Sequence, residues 1–149
     1  VPSSQPLRIL LVDDDADLRR LLAAILGRDG FDVDEASDGE EALAMFEGAE
    51  DADAASVADV IVTDIWMPRC CGLTMLERLR ERGVTTPVVV LSAHVDGETK
   101  ARAQSLHASA LLAKPFDAAD LRRTVRRVAQ LGAPVDAAGS TRPRAPLSA

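Results

Sequence analysis

The sequence predicts an α/β fold, a five-stranded parallel sheet with helices on both faces, and three observations carry that prediction. Short apolar, β-branched runs recur along the chain, and most of them end abruptly on a polar side chain. Between the runs, apolar residues return at spacings of three and four, the period of a helix with one buried face. Strand and helix alternate five times, and parallel neighbours joined through helical crossovers are the economical way to satisfy that order.

The elements follow in order. Leu7 to Val12 is an apolar strand, interrupted only by Arg8, that stops at Asp13-Asp14-Asp15. Leu18, Leu21, Leu22, Ile25 and Leu26 then mark a helix closing near Gly30. Phe31 to Ala36 alternates weakly and reads as a short, half-exposed strand. Asp38, with Glu41 three residues on, has the form of a capping box for a helix through Ala42, Leu43 and Phe46. Glu47 to Ser56 is acidic and alanine-rich without apolar period, so it reads as a solvated loop.

Val60-Ile61-Val62-Thr63 is a buried strand running straight into Asp64, and Pro68 prevents its continuation as an interior strand. Gly72 opens a helix carrying Leu73, Leu76 and Leu79, closed by Gly83. Pro87 to Leu91 is a fourth strand, ending at Ser92-Ala93. Asp96 to Leu106 is helical but thin in apolar residues, which predicts a poorly packed or partner-facing helix. Ala110 to Ala113 forms a fifth strand before Lys114-Pro115. Asp117 caps a last helix with Leu121, Val125, Val128 and Leu131 inward and Arg122, Arg123, Arg126 and Arg127 outward. The folded unit is thus expected over residues 7–131, between a flexible lead-in at 1–6 and a disordered tail or linker at 132–149.

Size and composition narrow the function. At 149 residues the chain is one domain by length, with 47% hydrophobic residues and no uncharged apolar stretch that would span a bilayer. No signal-peptide pattern opens the sequence. Two adjacent cysteines, Cys70 and Cys71, make no disulfide framework, and a reducing, cytoplasmic setting is expected. The net charge of -7 is uneven: residues 1–60 hold 16 acids and 4 bases, residues 61–149 hold 8 acids and 13 bases. An acidic first half argues against direct nucleic-acid binding. Fifteen of the 17 bases are arginine, so the two lysines, Lys100 and Lys114, stand out.

Right-handed crossovers bring the carboxyl ends of the strands to one edge of the sheet, where open α/β folds keep their ligands. That edge would hold Asp13, Asp14 and Asp15, then Asp64, then Ser92, then Lys114. Crowded carboxylates repel unless a hard cation sits among them, and Mg²⁺ fits: oxygen ligands, few carboxylates, retained waters. With a lysine ammonium and a serine hydroxyl alongside, the set suits the oxygens of a phosphoryl group, whose transfer needs positioning and charge neutralisation. Each piece alone has an ordinary explanation. An acidic triplet is commonly a turn and helix cap, Ser92 a loop hydroxyl, Lys114 a surface side chain. Their coincidence at four successive strand ends is what favours the site.

The motifs LLVDDD, VIVTDIWMP with Gly72 following, VVVLSA and AKPF occur in that order, and the sequence resembles the receiver domain of bacterial two-component response regulators over roughly Leu7 to Leu131. The resemblance implies a flavodoxin-like strand order and a reversible aspartyl-phosphate switch. Asp64 matches the phosphoacceptor. Asp13 and Asp14 match the acidic pair that holds Mg²⁺, with Asp64 and the Trp66 backbone carbonyl as further ligands. Ser92 matches the switch hydroxyl and Lys114 the lysine that contacts the phosphoryl group. Implied partners are a sensor histidine kinase or phosphotransfer protein, and the last two helices with the strand between them form a dimer or partner surface. The implied activity is a switch rather than a turnover enzyme.

Departures from the family pattern are also visible. Leu111 stands where an aromatic residue commonly precedes the lysine, and Cys70-Cys71-Gly72 replaces a Met-Asp-Gly-like loop. Trp66 and His94 are bulky, and are expected to overhang the site and slow attack by water. The cysteine pair is expected to be two small loop residues with no lowered thiol pKa.

Two alternatives compete. A small haloacid-dehalogenase-type phosphatase would use Asp13 and Asp15, with Ser92, Lys114, and Asp117 with Asp120 as its later motifs, but it leaves Asp64 unexplained. A phosphorylation-independent interaction module on the same fold is the other.

Overall fold

The computed structural model describes residues 6–47 and 57–131. Five strands, β1 (Arg8–Val12), β2 (Asp32–Ala36), β3 (Val60–Asp64), β4 (Val88–Ser92) and β5 (Ala110–Ala113), form one sheet of order β2-β1-β3-β4-β5. Every neighbouring pair is parallel. The helices are α1 (Ala16–Arg28), α2 (Gly39–Met45), α3 (Gly72–Glu81), α4 (Gly97–Ser105) and α5 (Ala118–Leu131).

Period-two alternation sorts the strand side chains into two cores. Leu10, Val12, Ile61, Val88 and Val90 face α2, α3 and α4, where they meet Leu43, Phe46, Leu73, Leu76 and Ala103. Ile9, Leu11, Val60, Val62, Val89 and Leu91 face α1 and α5, against Leu22, Leu26, Leu121, Val125 and Val128. β3 and β4, flanked on both edges and covered on both faces, are apolar almost throughout. The rim strands are more open, and β2 alternates only weakly, as its sequence implies.

The punctuation is chemical. Gly30 and Gly83, both at positive φ, follow α1 and α3, where the backbone needs a left-handed residue. Asp15, Asp38 and Asp96 each accept a backbone N–H three residues on and so cap α1, α2 and α4. Asp117 does the same for Asp120 at the start of α5, at 2.8 Å. The capping box at α2 closes one residue early, because Glu41 reaches the N–H and hydroxyl of Ser37 rather than the N–H of Asp38.

Two packing expectations change. Leu21 is 57% exposed, since it lies about 100° around the helix from Leu22 and falls outside the buried stripe. Arg126 is more than a solvated charge: its Nη2 lies 2.6 Å from Asp29 Oδ1 and ties α5 to the end of α1. The lead-in at 1–5, most of the loop at 47–56, the Leu131 side chain and the tail at 132–149 lie outside the described residues. Among the described residues, no helix is long and apolar enough to cross a membrane.

Candidate functional site

The four strand ends do meet. Oxygens of Asp13, Asp14 and Asp64 lie within 4.8 Å of one another, a grouping that could hold a metal ion. Asp13 is buried, Asp64 half-buried and Asp14 exposed, so the group opens to solvent on one side. Lys114 Nζ stands 3.4 Å from Asp64 Oδ2, bringing the end of β5 across β4 to the end of β3. The other Asp64 oxygen accepts the Ile65 N–H at 2.8 Å.

Asp13 is fixed from several directions. Its N–H donates to the Ala36 carbonyl at 3.1 Å, and its Oδ1 accepts the Asp15 N–H at 2.9 Å. Its Oδ2 is buried with no hydrogen-bond partner. Burial pushes the Asp13 carboxyl above its ordinary value; the Asp15 N–H opposes this, and the neighbouring Asp64 charge adds to it. A buried, unpartnered carboxylate oxygen beside two further carboxylates is the donor set a hard divalent cation satisfies, so the residues fit Mg²⁺.

Ser92 is the last residue of β4 and fully buried, not a loop hydroxyl. Its Oγ donates to the His94 carbonyl at 2.7 Å and accepts the His94 N–H at 3.1 Å, so the hydroxyl closes its own turn. Trp66 is 64% exposed and His94 is also exposed. Leu111 is half-buried against the α2–α3–α4 core.

Asp15 caps α1 through Leu18 N at 3.1 Å, and Asp117 and Asp120 are engaged with each other at the start of α5. These carboxylates serve local structure, which disfavours them as the motif residues of a phosphatase of the rival type.

Several contributors were not evident from the sequence. Gly72 does more than open α3: a Cβ there would overlap the Asp64 carbonyl oxygen, and its N–H donates to Ile65 O at 2.8 Å. Arg19, on the second turn of α1, donates from Nη1 to the Asp13 carbonyl at 2.8 Å and from Nε to Glu35 at 2.9 Å. The only hint of this in the sequence is a cation near a helix N-terminus, where the dipole disfavours it unless an acceptor compensates.

The loop after Pro68 is anchored too. Arg69, at φ 67°, pairs with the buried Asp38, and Cys70 packs so closely on Gly39 that a Cβ there would meet the Cys70 carbonyl at 2.6 Å. The cysteines are not idle spacers. Cys70 is a buried core residue whose thiol is pushed up by burial. Cys71 caps α3, and although burial opposes it, hydrogen bonds from Thr74 bring its thiol below the ordinary value.

A doubly covered parallel sheet of order 2-1-3-4-5, with an acidic cluster and a lysine at its carboxyl edge, is the flavodoxin-like architecture. The model of the response regulator receiver domain matches residues 9–126, and the chain belongs to that family. It is similar to the transcriptional regulatory protein TrcR of Mycobacterium tuberculosis, 36% identical over 137 residues that cover 89% of this chain and 51% of TrcR. It is also similar to the regulatory protein AtoC of Escherichia coli, 34% identical over 124 residues covering 83% of this chain and 25% of AtoC. The chain therefore spans about half, or less, of the length of these curated relatives.

Among solved structures, the receiver domain of Francisella response regulator 1452 superposes with a TM-score of 0.74 at 30% identity, covering 84% of this chain and 98% of that one. The Vibrio cholerae chemotaxis response regulator CheY4 gives 0.71 at 30% identity, covering 83% and 98%. The chain is a signalling receiver domain and not a classical enzyme, and the phosphatase alternative is not favoured.

Proposed function

We propose that Asp64 is the phosphoacceptor of this receiver domain, taking a phosphoryl group from a phosphohistidine on a sensor histidine kinase or phosphotransfer protein. One observation carries this reading: the Asp64 carboxylate is flanked by the Lys114 ammonium at 3.4 Å and by Asp13 and Asp14 oxygens within 4.8 Å. Asp64 attacks phosphorus in line, an O–P bond forms and the P–N bond to the imidazole breaks. Asp13, Asp14 and Asp64, with the Trp66 backbone carbonyl, would hold Mg²⁺, which when bound offsets the charge of the incoming oxygens. Lys114 contacts the same oxygens from the β5 side and orients them.

Ser92 is the switch hydroxyl. To donate to a phosphoryl oxygen it must give up the hydrogen bond it donates to the His94 carbonyl, so the phosphorylated and unphosphorylated sites compete for one hydroxyl proton. Leu111 offers no polar end to follow that movement, and α4 with β5 and α5 is the surface through which the state is passed to a partner, an output domain or a second copy. The working unit spans residues 7–131 and acts in the cytoplasm.

Incubation with Mg²⁺ and acetyl phosphate tests the reading. One phosphoryl group retained per chain, absent from Asp64→Asn, is the expected result. Multiple turnover would instead mark a phosphatase, and absence of label an interaction module. Trp66→Ala is expected to shorten the lifetime of the phosphorylated state by uncovering the site; an unchanged lifetime would remove Trp66 from any shielding role.

A further inference from the structure

Arg19 lies behind the acidic cluster rather than in it. Its side chain is only 15% exposed, its Nε is 2.9 Å from Glu35 Oε1 on β2, and its Nη1 is 2.8 Å from the Asp13 backbone carbonyl. The bond goes to the main chain, so it uses none of the Asp13 carboxylate oxygens. Together with the Asp13 N–H bond to Ala36, it holds Asp13 to the end of β2 through the peptide groups on both sides of its Cα. Glu35 and Ala36 are consecutive on β2, so the two restraints share one rigid support.

A guanidinium can make both contacts at once because its donors form a fixed planar fork; an ammonium on a flexible stem cannot reproduce that geometry. Its charge is matched by Glu35, so the pair adds little net field at the cluster. What remains is geometry.

We infer that Arg19 is a positioning residue for the divalent-cation site, holding the Asp13 carboxylate in register with Asp14 and Asp64 before any cation arrives. The inference rests on the reading of that cluster given under Proposed function. A charge-only role and a positioning role differ in sign. If Arg19 acted through its charge, Arg19→Ala would remove a cation and tighten Mg²⁺ binding. If it positions Asp13, the same change weakens binding, by roughly tenfold, as loss of a partner that orients metal ligands does.

The test titrates Mg²⁺ into the full chain by calorimetry, with Trp66 emission as a second readout. Trp66 is the sole tryptophan, the chain has no tyrosine, and it stands two residues from Asp64. Urea midpoints are recorded in parallel. Arg19→Ala is expected to bind Mg²⁺ roughly tenfold more weakly, with Arg19→Lys between it and the wild type. Glu35→Gln, which leaves the Asp13 bond in place, is expected to lose less than Arg19→Ala. Wild-type affinity in Arg19→Ala with only a lowered urea midpoint would overturn the inference, as would tighter binding. If Arg19→Ala does not fold, weakened binding by Arg19→Lys supports the inference and unchanged binding overturns it. A wild-type chain that binds no Mg²⁺ would instead overturn the cluster reading itself, and this inference with it.

Discussion

Helices α3 and α4 cover the same face of the sheet, yet they are held in opposite ways. α3 buries Gly72, Leu73, Met75, Leu76 and Leu79 along one side. Its start is pressed against the Asp64 carbonyl, and Arg78 reaches Glu40 of α2 at 2.9 Å. α4 buries only Ala103 of its nine residues. Its far end is tied down from α3, where Arg80 donates to the carbonyls of Leu106 and His107 at 3.0 and 3.1 Å while also holding those of Val84 and Thr86. Local stability follows buried apolar contact, so the element next to Asp64 is expected to be the more rigid, and the one past Ser92 the easier to displace away from its tethered end. A site built this way keeps its chemistry in place and leaves its movement to one side.

The sharpest way to break that contrast is Gly72→Ala. The new Cβ has nowhere to go but into the main chain at Asp64, so a loss of about 3 kcal/mol in urea unfolding is expected. Labelling of Asp64 by acetyl phosphate should slow on the order of 10²-fold, because the reacting carboxylate is displaced. Wild-type labelling in that variant would show that the start of α3 does not set the site.

Arg80→Met comes next. Removing the guanidinium strips a donor from four carbonyls, some of them still reached by water, and a loss of about 2 kcal/mol is expected. Amide exchange should rise over 97–108 well before it rises in α3. Equal acceleration in both helices would mean that Arg80 supports the whole face rather than tethering α4.

The smallest effect tests the α2 side. Asp38 is held below its ordinary 3.8 first by the Glu41 N–H and then by Arg69. A depressed carboxyl stabilises the fold above its unfolded pKa, and that contribution is lost as the pH falls through the lower, folded value. Asp38→Asn keeps an acceptor for the cap but loses the attraction to Arg69, which is exposed and screened. A loss of no more than about 1 kcal/mol at neutral pH is expected, and the two proteins should converge as the pH drops below 3.8. A gap that persists in acid would assign the effect to packing instead of charge.

Much of this arrangement was legible in the sequence, because the rules that produce it are local. β-branched runs, helical spacing and capping aspartates fix the elements, and crossover handedness then gathers Asp13, Asp14, Asp64, Ser92 and Lys114 at one edge without knowledge of a single contact. What stayed hidden depends on pairs far apart in the chain. Arg126 finds Asp29 across 97 residues, Arg80 finds carbonyls 26 and 27 residues away, and Arg69 finds Asp38 across 31. In a chain with 15 arginines, composition cannot say which of them will be used as staples. Ser92 illustrates a different limit: its position was readable, but the turn that occupies its hydroxyl was not. The capping role of Cys71 is hidden in the sequence because it depends on where α3 begins, to within one residue.

The two rims of the sheet, finally, are unlike. β2 carries Asp32, Asp34 and Glu35 in five residues, so any foreign strand approaching that border meets carboxylates at once. β5, the opposite border, is Ala-Leu-Leu-Ala and carries no charge of its own. Edge-to-edge pairing is therefore opposed by charge at the β2 margin and not by any charge on β5 itself.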